Sequence, residues 1–369
     1  MDLRGVAREE LAAWLEVLGE PGYRARQILH WIYRRGVTDP LAMTDLPASL
    51  RQELAARIRP PEAVLAHRAG PDGTLKLLLG FEGDVAVECV RLRYGYGYTA
   101  CVSSQAGCAM GCAFCRSGEG GLGRNLTAGE MVAQVLALRG QGGHRGITRV
   151  VVMGSGEPLA NYEELSRFLR LCVDPDGFGI SPRRLTVSTC GLVPGMRRLA
   201  DDGPAVTLSV SLHAAHDELR DRLVPVNRRW PLAALLEACR YYRARTGRRV
   251  TAEYVLIEGL NDRPEDTDRL ARLVRGAVGH VNLIPLNPVP GTRHRPSPPE
   301  AVTAFARRLR AGGLPATVRR SLGRGVDGAC GQLRASFPAR TAGTGGPDDE
   351  PGPGVQTRLG REGCHAGGD

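Results

Sequence analysis

Apolar positions along this chain change their period twice. Between residues 7 and 58 they recur at steps of three and four, the pattern of helices that pack by one face. The pattern predicts helices over residues 7–18, 23–35 and 46–58, with Pro21-Gly22 breaking the first from the second. In the second helix Ile28, Trp31 and Ile32 share one face and arginines occupy the others. Residues 73–103 change to short runs rich in Leu, Val and Thr, read as strands over 74–80, 84–92 and 98–103. Beyond a predicted helix over 128–138, short β-branched runs alternate with helical stretches. The strands are expected over 148–154, 185–189, 206–212, 250–257, 281–286 and 316–321. The helices between them are expected over 162–173, 195–202, 231–245, 265–275 and 299–310. Such alternation means a parallel sheet with right-handed crossovers. About six units are too few to close an eight-fold barrel. The expected fold class is therefore α/β, a partial (βα)6 barrel with a small N-terminal helical domain and a short β extension. The expected organisation is a helical, RNA-docking domain over 1–62 and a β-hairpin linker over 63–97, followed by the barrel over 98–337. Residues 338–369, where Gly, Pro, Thr, Asp and Glu run without a period, are expected to be a disordered tail.

Composition narrows the class. At 369 residues and 42% hydrophobic content the chain can bury a large core. No apolar run reaches membrane length and no targeting segment is recognisable, so a cytoplasmic protein without membrane contact is expected, acting as a monomer. In a reducing compartment ten cysteines read as metal ligands, catalytic thiols or core residues. The net charge of +10 favours a polyanionic partner. Of 49 basic residues only Lys76 is lysine, a ratio that codon bias in a GC-rich genome accounts for. Arginine forks still suit phosphates and bases. The pairs Arg183-Arg184, Arg228-Arg229, Arg248-Arg249 and Arg319-Arg320 are candidate RNA backbone contacts, although each alone reads as a solvated face.

Candidate chemistry starts at Cys108, Cys112 and Cys115, a C-x3-C-x2-C run. Iron–sulfur clusters are held by cysteine thiolates, normally four, so three would leave one iron open to a ligand. A structural zinc site needs a second ligand pair at short spacing, and none follows. Further motifs fall at predicted strand ends. In Gly154-Ser155-Gly156-Glu157-Pro158 the glycines permit close backbone approach, and Glu157 suits an ammonium group. Ser188, then Ser211, Leu212 and His213, then Asn287 end three later strands. Small polar groups at successive strand ends can hold one adenosyl cofactor. Cys101 and Cys330 fit no cluster spacing. Cys89, Cys172 and Cys239 read as core, and Cys364 as a stray thiol beside His365 in the tail.

The cysteine spacing is that of the radical S-adenosylmethionine (SAM) enzymes. The string CVSSQAGCAMGCAFC is followed by Arg124-Asn125-Leu126 with Gly129-Glu130, and then by MGSGEP, STCG, SLHA, EYVLIEGLND, NLIPLNPVPG and GACGQL. Over residues 5 to 335 the chain thereby resembles the dual-specificity 23S rRNA/tRNA adenine-C2 methyltransferases. The resemblance implies a [4Fe–4S] cluster on Cys108, Cys112 and Cys115. It implies SAM contacts from Gly156, Glu157, Ser188, Ser211, Leu212, His213 and Asn287. The products implied are adenine 2503 of 23S rRNA and adenine 37 of tRNA, each methylated at carbon 2. Two SAM molecules would be used. One would methylate Cys330 by displacement. The other, cleaved with an electron from a flavodoxin-type donor, would yield a radical that activates this methyl group for addition to the ring. Cys101 would then release the product by forming a disulfide with Cys330, and Glu88 would accept the ring proton. Thiolate chemistry leads us to expect electropositive surroundings for both cysteines, with Arg319, Arg320 and Arg324 near Cys330 in sequence.

The chain departs from the family at Ser155, where methionine is usual, at Cys190, and across residues 91–99, either an RNA contact or a divergent hairpin. Three alternatives stay open at this point. They are methylation of carbon 8 of the same adenine, which confers ribosomal antibiotic resistance, a zinc-containing RNA-binding protein without catalysis, and a radical SAM enzyme acting on a peptide or small molecule.

Overall fold

A computed structural model describes residues 2–57, 63–140, 146–287, 293–319 and 326. Three helices open the chain: α1 (Arg8–Val17), α2 (Arg24–Leu29) and α3 (Ala48–Arg57). The predicted second helix continues from α2 as a π-helical segment, His30–Arg35, and stops at Gly36, whose φ of 71° is open to glycine without strain. Ile28, Trp31 and Ile32 are all buried, as their shared face required.

Four strands follow: β1 (Ala63–Ala69), β2 (Leu75–Phe81), β3 (Val85–Tyr94) and β4 (Gly97–Val102). The predicted pattern contained no β1. It is an antiparallel edge strand with all but one of its seven residues exposed, so it carries no alternation to detect. A two-stranded hairpin, β5 (Gln105–Gly107) and β6 (Leu122–Asn125), then brackets the cysteine run. The remaining elements alternate: α4 (Ala128–Gly140), β7 (Ile147–Val152), α5 (Tyr162–Val173), β8 (Leu185–Thr189), α6 (Val193–Asp202) and β9 (Thr207–Ser211). They continue through α7 (Asp217–Leu223), α8 (Leu232–Thr246), β10 (Val250–Leu256), α9 (Pro264–Leu273), β11 (His280–Pro285), α10 (Pro299–Ala311) and β12 (Ala316–Val318). The short helix α7 was not expected.

One ten-stranded sheet runs in the order β1-β2-β3-β4-β7-β8-β9-β10-β11-β12. From β4 to β12 every pairing is parallel, which gives six strand–helix units with β12 closing the series. Strands β1 to β3 extend this sheet as an antiparallel meander. Successive strand residues face opposite sides. Val150, Val187, Leu208, Val210, Ala252, Tyr254, Val281 and Leu283 belong to the large core that the helices cover. The intervening residues form the inner face, and the register sorts them into zones. Val90, Leu92 and Cys101 make an apolar patch with Val151 and Met153. Ser209, Glu253, Asn282 and Thr317 make a polar band across β9 to β12. Among the described residues no helix is long and apolar enough to cross a membrane.

Candidate active site

The cysteine loop is closed at its base by the β5–β6 ladder and by the Cys108 N–H donating to Gly121 O at 3.0 Å. Its turn at Gly111, with φ of 64°, lies in the left-handed region that favours glycine. Met110, Cys112 and Phe114 pack on a second apolar cluster that includes Cys190, Leu223, Val255, Ile257, Ile284 and Leu286. Val255 and Ile284 lie on the inner face, two residues beyond Glu253 and Asn282. The loop therefore sits over the C-terminal ends of β10 and β11, pinned also by the Ala113 N–H to Leu223 O at 3.0 Å.

Cys108, Cys112 and Cys115 are each only partly exposed. Burial pushes the Cys108 thiol up to about 11, and Cys115 and Glu157 add to the effect. Cys112 is raised by burial first, then by Cys115, Cys108 and Glu157. The three cysteines lie within eight residues of one loop closed by the β5–β6 ladder, which keeps their sulfurs in one region. Cationic iron would relieve the destabilisation of their negative charge, because a coordinating thiol is deprotonated outright. Three thiolates with no further ligand pair at short spacing suit a group that is held by three donors and keeps one position open. The donor set fits a cluster.

The turn after β7 lies against the strand before the loop. A Cβ on Gly156 would stand 2.7 Å from the Gln105 Cβ and 2.8 Å from its backbone nitrogen, and the φ of 108° excludes other residues besides. Glu157 follows at 3% exposure. Its Oε1 accepts the Leu159 N–H at 3.0 Å and its Oε2 accepts the Cys190 N–H at 2.7 Å. Burial pushes its carboxyl up, against these donors. The carboxylate expected to meet an ammonium group thus also caps a helical turn and ties the β7 turn to the end of β8.

Ser188 and Ser211 are half-buried at the ends of β8 and β9. Leu212 is buried, and its N–H donates to Glu253 O at 3.0 Å. His213 takes a left-handed φ of 59°, and its ring meets Phe114 of the cysteine loop edge-on, with centroids 4.6 Å apart. Its Nδ1 accepts the Val255 N–H at 3.0 Å, which leaves the ring proton on Nε2. Asn287 is buried just past β11.

Burial, with Arg220 nearby, lowers the His213 pKa to about 3. The folded protein therefore keeps the ring neutral where the unfolded chain would protonate it. Stability from this residue is present above the unfolded value of about 6.5 and falls as the pH drops from there toward 3, by on the order of 5 kcal/mol. His213→Asn tolerates the left-handed backbone and should flatten this part of an acid-unfolding curve. An unchanged acid limb would show that His213 does not titrate in unfolding.

Two buried residues that organise the site were not among the site residues expected from the sequence. Arg220, on α7, is fully buried. It donates to the carbonyls of Leu212 (3.1 Å), Ser211 (2.9 Å) and Cys190 (2.7 Å) and to Asn227 Oδ1 (2.8 Å). Glu253 accepts from Ser209 Oγ at 3.1 Å and Asn282 Nδ2 at 2.8 Å on the inner face, and burial raises its carboxyl.

The three residues expected to handle RNA chemistry are only partly visible. Cys101 lies on β4 facing inward, 8% exposed. Its apolar packing neighbours are Val90, Leu92, Val151 and Met153. Glu88, also buried, lies on the same face of β3 and pairs with Lys76 at 2.9 Å. Cys330 lies outside the described residues, as do Arg320, Arg324 and the expected tail over 338–369. The chain leaves β12 at one end of the sheet, with the Arg319 N–H on Leu283 O. Val326 is buried near the β1–β2 turn at the other end, 3.6 Å from where a Cβ on Gly70 would stand. Cys89, Cys172 and Cys239 are buried core residues. Residues 91–99 form the β3–β4 hairpin, with Tyr94 and Tyr96 stacked at 5.0 Å and Arg149 over Tyr96.

Comparison with known proteins gives concordant results. The family model described as the radical SAM superfamily matches residues 102–271, and that of the ribosomal RNA large subunit methyltransferase N-terminal domain matches residues 1–59. The protein named "Probable dual-specificity RNA methyltransferase RlmN" of Moorella thermoacetica is 50% identical over 344 residues, covering 90% of this chain and 97% of its own length. The protein of the same name from Symbiobacterium thermophilum is 50% identical over 337 residues, covering 90% and 91%. A crystal structure of a radical SAM methyltransferase from Sphaerobacter thermophilus superposes with a TM-score of 0.88 at 48% identity, over 90% of this chain and 99% of that one. The superfamily works with a [4Fe–4S] cluster and SAM. With half its residues shared along nearly the full length of these relatives, and with a cysteine loop fit for the cluster, the chain belongs to the RlmN family of radical SAM dual-specificity RNA methyltransferases.

Proposed function

We propose that the protein methylates carbon 2 of adenine in 23S rRNA and in tRNA, at adenines 2503 and 37 respectively. The observation that carries this reading is the gathering of the cysteine loop, the Gly156-Glu157 turn and the Ser211-Leu212-His213 turn over adjoining strand ends, in a chain half identical to RNA methyltransferases. Cys108, Cys112 and Cys115 would hold the cluster. Gly156, Glu157, Ser188, Ser211, Leu212, His213 and Asn287 would surround SAM. Together the bound groups supply the electron and the hydrogen-abstracting radical. Cys330 carries the methyl group to the base, Cys101 frees the product, and Glu88 takes the ring proton. The inner face suits a base entering between the apolar patch around Cys101 and the polar band around Glu253. The exposed Tyr96 and the net charge of +10 suit RNA beyond the site. A one-electron donor of flavodoxin type, a monomeric state and a cytoplasmic location complete the proposal.

The test is nucleoside mass spectrometry after anaerobic reconstitution with iron, sulfide, SAM, a reductant and an rRNA fragment. 2-Methyladenosine is the expected product. 8-Methyladenosine without it would establish the sister activity instead, and a colourless protein that leaves SAM intact would remove the enzymatic reading altogether.

A further inference from the structure

Lys76 is the only lysine in a chain that places arginine at every other basic position. It is also one of the largest fully buried side chains. Arginine is the usual cation for a buried pair. Lysine differs in being a compact point charge that can shed its proton. Here the ammonium lies 2.9 Å from Glu88 Oε1, with side-chain exposures of 0% and 1%. Both residues face inward: Lys76 is opposite Val90 across β2 and β3, and Val90 is opposite Cys101 across β3 and β4. The pair thus shares a face with the thiol assigned to product release. The described anchor of the segment leading to Cys330, Val326, packs beside the turn that precedes β2.

We propose that Lys76 is a positioning residue that keeps the Glu88 carboxylate charged and fixed on the inner face, ready to take the proton from the reacting adenine carbon. This rests on the reading above that Glu88 is the proton acceptor. A carboxylate withdrawn this far from water holds its proton unless an opposite charge or good donors stabilise the ionised form, and a protonated acid cannot act as a base. In the step itself the C2–H bond breaks, its electron pair stays with the ring and the proton adds to a Glu88 oxygen. The pair passes from zero net charge to plus one.

Among the described residues, other charged and titratable groups lie on the elements packed against Glu88. Arg68 stands opposite Lys76 on the exposed strand β1. Cys101 on β4 lies in the apolar patch. Glu130 on α4 is engaged by Arg124 at 2.7 Å. On β3 itself, Cys89 belongs to the helix-covered core and Arg91 donates to Leu138 O on α4.

The test compares Lys76→Met, Lys76→Arg, Glu88→Gln and the double variant Lys76→Met/Glu88→Gln. Single-turnover methylation of RNA is followed from neutral to alkaline pH. Methylated Cys330 and 5′-deoxyadenosine are measured alongside by mass spectrometry. Lys76→Met should slow RNA methylation at least about tenfold at neutral pH, with the deficit closing as the pH rises. Methylated Cys330 should form normally. Lys76→Arg should keep the wild-type pH profile, and adding Lys76→Met to Glu88→Gln should cost nothing further. A wild-type profile in Lys76→Met, a displaced one in Lys76→Arg, or a double variant slower than Glu88→Gln would each overturn the inference. The double variant removes both charges together, so the comparison survives if a lone buried carboxylate prevents folding. Wild-type protein that forms neither methylated Cys330 nor 5′-deoxyadenosine would overturn the proposed function, and this inference with it.

Discussion

Replacing Cys101 with alanine is expected to leave RNA covalently attached to the protein. In the proposed sequence the methyl carbon joins Cys330 to adenine, and the Cys101 thiolate attacks the Cys330 sulfur to break that link. The variant keeps every step up to attachment and has no second nucleophile for release. Multiple turnover should fall at least about a thousandfold, as when a covalent-catalysis nucleophile is removed. A protein–RNA adduct should accumulate to about one per protein and persist under denaturing conditions, and RNA digestion should leave the modified nucleoside attached to Cys330. Folding should survive, because the thiol sits among Val90, Leu92 and Val151, and losing one sulfur from an apolar patch costs about 1 kcal/mol. Normal turnover by the alanine variant would remove Cys101 from the reaction.

Arg220→Met should cause the largest loss of stability among the site residues. The guanidinium is fully buried and works through neutral acceptors: three carbonyls at the ends of β8 and β9, and Asn227. Burial pulls its pKa down, opposed by Cys190, Cys112 and Asp217. Methionine of similar length fills the space but leaves those buried acceptors unpaired, at a cost of about 3–5 kcal/mol. For a chain of this size that is a drop in Tm on the order of 10 °C. The local effect reaches the chemistry. The carbonyls of Ser211 and Leu212 set the direction of His213, whose ring supports Phe114 of the cysteine loop. The variant should bind less iron per protein as well as melt earlier. A lysine ammonium cannot fork to three carbonyls as the guanidinium does, so Arg220→Lys should recover only part of the loss. Melting within about 1 kcal/mol of the wild type would show that the strand ends are held by other contacts.

Much of this was legible in the chain because it depends on short-range patterns. Strands β7 to β12 were each marked by β-branched runs between turn residues, and α5, α8, α9 and α10 fell within a few residues of their expected bounds. The cysteine run was recognisable from its spacing, and the Gly156-Glu157 and Ser211-Leu212-His213 turns from their places at strand ends together with the resemblance. What escaped has a common cause. β1 carries almost no buried residues, so tertiary pairing with β2 creates it. The hairpin of β5 and β6 has only three and four residues and is held by its partner strand. Arg220 looked like any other arginine on a charged helix until three carbonyls from two turns converged on it.

The linear order of residues by itself determined the class of sheet, the loop that suits an iron–sulfur cluster, and the family. Those follow from periodicity and from donors a few residues apart. Only the folded chain decided that Cys101 faces inward among apolar neighbours, that Glu88 is sealed against the sole lysine, and that Val326 lies near the first turn of the sheet. These relations join residues from separate strands and, for Gly70 and Val326, from distant parts of the chain. Strand register and burial create them, and no local pattern encodes either.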